Sequence, residues 1–340
     1  MQEVAVVMTQ TALLILGVLG VGVPATMLCE RRLGARMQRR FGPRAAGPRG
    51  VLQPLADVVK LMGRQSSKSA RRTEALWAPI GSLVTSLLLF VAIPFGENFL
   101  LAGHIFSGQI ADIGLIGVLA VLAAFLFWPL WGCYSAGDHR ALLSGVGYVG
   151  RQLGYLLCMG FAVSGVVLLS ASLSLTDITL SQTRYWGAMP LWNFWLQPLG
   201  CAVFLVAGLA WAGRPPIEVD VGLAGIEAHY TSGYGGGPLA LWQLAEHARL
   251  LAMACLAVVL YGGGWHWPGL AESGSGPLAN DLVKVAVFVA KASLALLLLL
   301  WLRWSLPGLG FRSREGLAWK VLLPLSLINF TATVGVAALV

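Results

Sequence analysis

Charge is scarce in this chain: Asp, Glu, Lys and Arg make up 11% of 340 residues, while 57% are apolar. So little charge cannot coat a soluble globule, and so much apolar surface cannot be buried in one core. A soluble enzyme or binding domain is excluded, and a polytopic membrane protein remains. Acids are the scarcer sign, 15 against 23 basic residues, for a net charge of +8. The basic residues sit in loops between apolar runs, where lipid headgroups and insertion topology account for them, so no nucleic-acid partner is expected.

Cysteine is sparse too. Cys29, Cys133, Cys158, Cys201 and Cys255 stand singly, mostly in apolar runs, with no CxxC spacing and no neighbouring His cluster. That pattern excludes a thiolate metal site and a disulfide framework, and leaves small membrane-core side chains. No Ser/His/Asp or Cys/His arrangement is local enough to supply a nucleophile. Gly233-Tyr234-Gly235-Gly236-Gly237 lacks both the Lys-Ser/Thr and the preceding strand of a phosphate loop, and reads as a tight turn into a span. Neither an internal repeat nor a low-complexity linker divides the chain, so residues 1–340 are expected to form one membrane domain. Met1-Gln2-Glu3 is no basic leader, and no small-residue cleavage site precedes Glu30, so the first apolar run reads as a retained span.

Apolar runs of membrane length are abundant. Spanning about 30 Å of hydrocarbon takes about 20 apolar residues per helix. Eight stretches qualify, near 4–28, 75–96, 111–133, 152–173, 194–213, 238–261, 281–303 and 318–339. Backbone groups in lipid must pair within their own segment, so the expected fold is an all-α bundle. Of the 23 Lys/Arg, nineteen fall in odd-numbered loops, twelve of them between residues 31 and 72. The positive-inside rule then predicts odd loops in the cytoplasm and both termini outside. Within loop 1, apolar residues 51, 52, 55, 58, 59 and 62 share one face of a segment too short and too charged to span, with Asp57 and Lys60 on another face. An amphipathic helix lying in the interface plane is expected there.

Ionisable residues inside spans are the next signal, because each is costly in lipid. Glu246 and Arg249 lie one helical turn apart in the sixth run, close enough to pair, and Lys291 sits inside the seventh. Such a lysine needs a carboxylate or water. The trio reads either as a proton-relay element or as a structural ion pair between spans six and seven. Loop 5 adds Glu218 and Asp220, two carboxylates two residues apart in an apolar context.

Several motifs carry a resemblance. They are Glu30-Arg31-Arg32-Leu33-Gly34, Gln38-x-Arg40-x-Gly42-Pro43, and Gly47-Pro48-x-Gly50-x-Leu52-Gln53-Pro54-x-Ala56-Asp57-x-x-Lys60. Later matches include Leu76-x-Ala78-Pro79, Ser174-Leu175-x-Asp177-Ile178, Arg214-x-Pro216, Ala245-Glu246, Gly263-Gly264-Trp265, Lys291 and Trp319-Lys320-x-x-x-Pro324-Leu325-x-Leu327-x-Asn329. Together they resemble the H subunit of NADH-quinone oxidoreductase, the homologue of mitochondrial complex I subunit 1, over essentially the whole chain. The resemblance implies a membrane-arm subunit, not catalytic alone, of a proton-translocating oxidoreductase. Its implied partners are peripheral hydrophilic iron–sulfur subunits, which hold the cluster, antiporter-like membrane subunits, and the bilayer; quinone is the implied substrate, and no cofactor is bound by the chain itself. Glu30, Arg31, Arg32, Arg36, Asp57 and Lys60 would line or support the quinone chamber. Glu218, Asp220, Glu246, Arg249 and Lys291 would belong to the path coupling that chamber to proton movement.

The chain departs from the family pattern in loop 5, where Val221, Leu223 and Gly225 stand at positions of expected carboxylates and Gly233 precedes Tyr234 in place of Glu. Gly147 and Gly154-Tyr155-Leu156 replace an Arg and a Ser-Tyr-Glu near span four, and Arg312 stands about where an Asp is usual. Lys60-Leu61-Met62-Gly63-Arg64-Gln65-Ser66 is also similar to the equivalent subunit of formate hydrogenlyase and hydrogenase-4 type complexes. Two alternatives therefore stand beside the first: a hydrogenase-type homologue, and a non-redox scaffold for antiporter-like subunits.

Overall fold

The computed structural model describes residues 2–64, 73–96, 99–101, 104–106, 108–136, 139–186, 189–213, 230–231, 234–268, 277–306 and 316–339. Among them the regular secondary structure is helical apart from two short antiparallel hairpins, Phe99–Leu101 with His104–Phe106 and Tyr185–Trp186 with Met189–Pro190. Seven helices are long and apolar enough to cross a membrane: Val6–Met37, Glu74–Ala92, Gly114–Ser135, Leu142–Ser170, Gly236–Tyr261, Asn280–Ser305 and Leu317–Gly335. The protein is an α-helical, polytopic membrane protein.

The first and last crossings share a device that follows from proline chemistry. In the first, α1 (Gln2–Gly17) passes through a π-helical turn, Val18–Gly22, into α2 (Val23–Met37), whose second residue is Pro24. Proline has no N–H and crowds the preceding turn, so the ladder slips by one residue: the Val23 amide reaches the Val18 carbonyl, five residues back. In the last, the π-helical turn Leu317–Leu322 precedes the helix Leu323–Leu339, and the Leu323 amide reaches Ala318 just before Pro324.

Between them run α3 (Gln53–Met62), α4 (Thr73–Ala92), α5 (Gly114–Phe125), α6 (Phe127–Ala136), α7 (His139–Ser170) and α8 (Leu175–Ser181). They are followed by α9 (Asn193–Leu196), α10 (Pro198–Trp211), α11 (Gly236–Tyr261), α12 (Pro277–Ser305) and α13 (Leu323–Leu339). The expected interfacial helix is α3. Its residues Val51, Leu52, Leu55, Val59 and Met62, at and just before the helix, are exposed, as an apolar face meant for lipid would be.

The structure corrects the uninterrupted fifth span expected at 194–213. One turn of helix, α9, ends at Gln197, whose φ of −134° and ψ of 62° are non-helical, and Pro198 then opens the 14-residue α10. The residue before proline is pushed out of the α region, and Pro itself fits the first helical position. Amides freed at such a break need partners in lipid. Gly200 N–H donates to Asn329 Oδ1 of α13 at 3.0 Å, and Gln197 Nε2 donates to Thr333 Oγ1 at 2.9 Å, so α13 staples the break.

The core centres on α11, which packs against α2, α3, α4, α10 and α12. Small residues such as Ala240, Ala245, Ala248, Ala252 and Ala254 are fully buried along it and let neighbouring helices approach closely. Crossings alternate, so the ends of α2, α10 and α12 and the start of α11 share one face, here called the basic face after loop 1. The two hairpins and the end of α11 lie at the opposite face.

Candidate functional site

On the basic face, α2 aims two consecutive charges in different directions. Glu30 points into the bundle and is 8% exposed. There its carboxylate forms an ion pair with Arg303 from the last turn of α12 and stands 3.3 Å from His247 Nε2 of α11. Arg31 points the other way and pairs with Asp57 of α3. Gln53, one turn earlier in α3, donates to the second Asp57 oxygen at 3.2 Å. Burial opposes ionisation of Asp57, but the hydrogen bond and charge of Arg31 outweigh it and hold the carboxyl below its ordinary range.

Loop 1 folds back between these helices. Arg32 Nη2 donates to the Arg49 carbonyl at 2.7 Å, and Gly50 takes a φ of +74°, where a Cβ would lie 2.2 Å from the Pro43 carbonyl oxygen. Only glycine can make that turn. Closing the other side, Gly34 lets Trp304 of α12 lie against α2, an added Cβ there being 2.4 Å from the indole ring.

These contacts enclose two cavities that share Glu30 and Arg31 as a wall. The outer one, about 590 Å³, is lined by Glu30, Arg31, Arg40, Phe41, Gly42, Pro43, Arg44, Ala45, Gln53, Arg303 and Trp304. Its rim is strongly positive, with Arg44 stacked on the Phe41 ring at 4.1 Å. The inner one, about 210 Å³, is lined by Met27, Glu30, Arg31, Thr231, Leu239, Trp242, Gln243, Glu246 and His247.

Behind the inner cavity stands a buried polar cluster. Tyr230 donates its hydroxyl hydrogen to Glu246 Oε1 at 2.9 Å and accepts from Arg249 Nη2 at 3.4 Å, so the two charges are joined through a phenol. Arg249 also donates to the Trp211 carbonyl at 3.2 Å and lies 3.7 Å above the Phe125 ring. Burial first, then the Glu246 charge, drives the Tyr230 phenol well above its ordinary value. The phenol is therefore a fixed donor at neutral pH.

Lys291 is elsewhere. At the opposite face its Nζ donates to the carbonyls of Gly262 at 2.7 Å and His266 at 2.5 Å, under the Trp192 ring at 4.4 Å and the Trp267 ring at 5.9 Å. Among the described residues, Lys291 is met by carbonyls at and just beyond the C-terminal end of α11, whose helix dipole favours a cation. Sixteen residues of α11 separate positions 246 and 262, about 24 Å along the axis. Glu246 and Lys291 are therefore not neighbours. Nearby, burial and the Lys291 charge hold the His266 imidazole below its ordinary value, with Tyr185 Oη 3.0 Å from Nε2.

Of the residues expected to line a chamber, Glu30, Arg31 and Asp57 are brought together, and Arg32 braces the loop around them. Arg36 and Lys60 are exposed on α2 and α3. Glu218 and Asp220 lie outside the described residues. The structure adds four residues that sequence reasoning did not assign to the site: His247, Arg303, Tyr230 and Trp304. His247 carried a usable signal, a histidine inside an apolar run beside Glu246. The five cysteines are all free.

The family model described as NADH dehydrogenase matches residues 9–334. The NADH-quinone oxidoreductase H 2 subunit of Rhizobium meliloti (strain 1021) is 34% identical over 328 residues, covering 95% of each chain. The NADH-quinone oxidoreductase H subunit of Thermomicrobium roseum is 35% identical over 312 residues, covering 89% of this chain and 88% of its own. The F(420)H(2) dehydrogenase H subunit of Methanosarcina mazei is 29% identical over 327 residues, covering 95% of this chain and 91% of its own. With one family spanning nearly the whole sequence and these relatives matching end to end, the chain belongs to the NADH dehydrogenase family of respiratory oxidoreductase membrane subunits, alongside the H subunits of NADH-quinone oxidoreductases.

Proposed function

We propose that the chain forms the quinone-facing wall of a proton-translocating oxidoreductase and couples quinone chemistry to charge movement in the membrane. The observation that carries this reading is Glu30, held between Arg303 and His247 in a wall common to both cavities. A cavity of about 590 Å³ lies within the range that holds a small organic headgroup. Phe41 and Trp304 offer apolar ring faces, while the arginines offer donors for quinone oxygens that gain negative charge on reduction. The chain supplies shape, donors and field. Electrons come from an iron–sulfur cluster in a peripheral partner protein.

On this reading Glu30, Arg31, Arg32, Arg36, Asp57 and Lys60 form or support the chamber. Glu246 and Arg249, with Glu218 and Asp220 from the loop before α11, begin the coupling path on the same face; Lys291 belongs to its far end. The chain acts as one domain in a bacterial inner membrane, with the basic face cytoplasmic and both termini outside, next to antiporter-like subunits. The donor module is a separate matter, because one relative is named for F(420)H(2) and others for NADH. A hydrogenase-type complex would use the same cavity, whereas a non-redox scaffold would not need it.

Photoaffinity labelling of the complex, purified from native membranes with a photoreactive ubiquinone analogue, tests the chamber. Adducts should map to residues 30–57 or to Trp304, and excess ubiquinone should suppress them. Labelling confined to partner subunits, with full quinone-reductase activity, would remove this chain from the site.

A further inference from the structure

We propose that His247 is the proton-transferring group between Glu30, on the wall of the outer cavity, and the inner cavity that reaches Glu246. The inference rests on the quinone-chamber reading and adds a named carrier to it. His247 Nδ1 lies 2.7 Å from the Gln243 carbonyl, one turn earlier in α11. A carbonyl only accepts, so Nδ1 carries the hydrogen and Nε2 is the one ring nitrogen left to exchange a proton. Nε2 lies 3.3 Å from Glu30 Oε2, within ion-pair distance. The ring also lines the inner cavity with Glu246, and about 210 Å³ bounded in part by Glu30, Thr231, Gln243 and Glu246 has room for water with polar partners.

Two proton hops follow, each making one O–H or N–H bond and breaking one. Glu30 as carboxylic acid gives its proton to Nε2, leaving carboxylate and imidazolium. The imidazolium then gives that proton, through water in the inner cavity, to the Glu246 carboxylate, and Tyr230 steadies the resulting acid by its hydrogen bond. The reverse order brings a proton to the chamber. The groups facing this path are Glu30 and Arg31 from α2, Arg303 from α12, Glu246 on α11 itself and Tyr230 before it. Arg32 and Arg36 on α2, Asp57 and Lys60 on α3, Glu74 in the first turn of α4, Arg249 on α11, and Asp281, Lys284 and Lys291 on α12 are the remaining charges on α11 and on the helices named as packing against it. Arg303 balances Glu30 and Arg249 balances Glu246, so a proton on His247 is the net change in charge of the cluster. Histidine is the side chain whose ordinary value lets it take and give that proton near neutral pH.

A merely structural histidine, joining α11 to α2, would be replaceable by a residue that keeps the contact. His247→Gln in the complex purified from native membranes separates the two roles. Quinone reduction followed from about pH 5 to 9 should lose its near-neutral limb, and the turnover number should fall by about a hundredfold. KM for ubiquinone should stay within about twofold, because ground-state binding is untouched. An unchanged pH profile and rate would overturn the proposal. Infrared pH titration of the complex with ¹⁵N-histidine gives a readout independent of turnover and of the variant's assembly. An imidazole band should titrate in step with a carboxylic-acid band, and its absence overturns the proposal. A wild-type complex that reduces no quinone but shows the coupled titration would sink the chamber reading and leave His247 as a proton carrier.

Discussion

Lys291 and Gly262 meet across the α11–α12 interface, the ammonium donating to the carbonyl at 2.7 Å. That bond is one part of a cap. Gln182 Nε2 donates to the Val259 carbonyl at 2.9 Å and Asn193 Nδ2 to the Leu260 carbonyl at 2.8 Å, so side chains from three segments satisfy carbonyls around the end of α11. Removing the ammonium strands two carbonyls in an apolar setting. Lys291→Met should lower complex stability by about 1–3 kcal/mol, measurable as a drop in thermal midpoint or in membrane abundance. Equal stability with lost proton translocation would instead favour a relay role.

Arg303 and Glu30 join residues 273 apart in sequence, in a setting where both side chains are nearly buried. Breaking a buried pair from one side costs more than removing both members. Arg303→Met alone should cost about 3–5 kcal/mol, and adding Glu30→Gln should return a large part of it. A double-mutant cycle on thermal midpoints checks this; additive losses would show that the pair does not act as a unit.

The two charge clusters show what the sequence displays and what it hides. The basic loop, the interfacial α3 and the intramembrane Glu246, Arg249 and Lys291 are visible because charge and periodicity are local properties. Lys291's partners are not, since backbone carbonyls look alike in any sequence and the rings of Trp192 and Trp267 come from distant segments. Arg303 reads as an ordinary basic residue at a helix end until Glu30 is placed beside it. The break in the fifth span did carry a signal, Gln197-Pro198, which apolar content alone overrode. Glu246 and Arg249 were expected to pair, and the phenol of Tyr230 that links them comes from a loop.

Asp57 supplies a pH dependence with a definite sign. Its folded value lies below the ordinary 3.8, so the stabilisation it brings is complete above that value and is lost as pH falls through the lower, folded one. Docking of α3 on α2 should therefore be flat across neutral pH. Because the pair is partly exposed, it contributes no more than about 1 kcal/mol. Hydrogen exchange of residues 53–62 should quicken in Asp57→Asn at pH 7 and match wild type in strong acid. A variant indistinguishable at pH 7 would mean that apolar contacts alone hold α3.

Gly34 sets how closely α12 approaches the chamber. A Cβ there would lie 2.4 Å from Cζ2 of Trp304, a distance that demands movement of a bulky ring, whereas at Gly42 the nearest atom would be Arg32 Cγ at an ordinary 3.4 Å. Trp304 also lines the outer cavity, so displacing it changes packing and cavity shape together. Gly34→Ala should cost about 1–3 kcal/mol by overpacking. Under the quinone-chamber reading it should also raise KM for ubiquinone, while Gly42→Ala stays near wild type. Trp304→Phe placed on top of Gly34→Ala removes the crowded ring atoms and should restore stability more than KM, because the indole face is lost. If Gly34→Ala matched wild type in both stability and KM, the close packing of α2 on Trp304 would have no part in shaping the cavity.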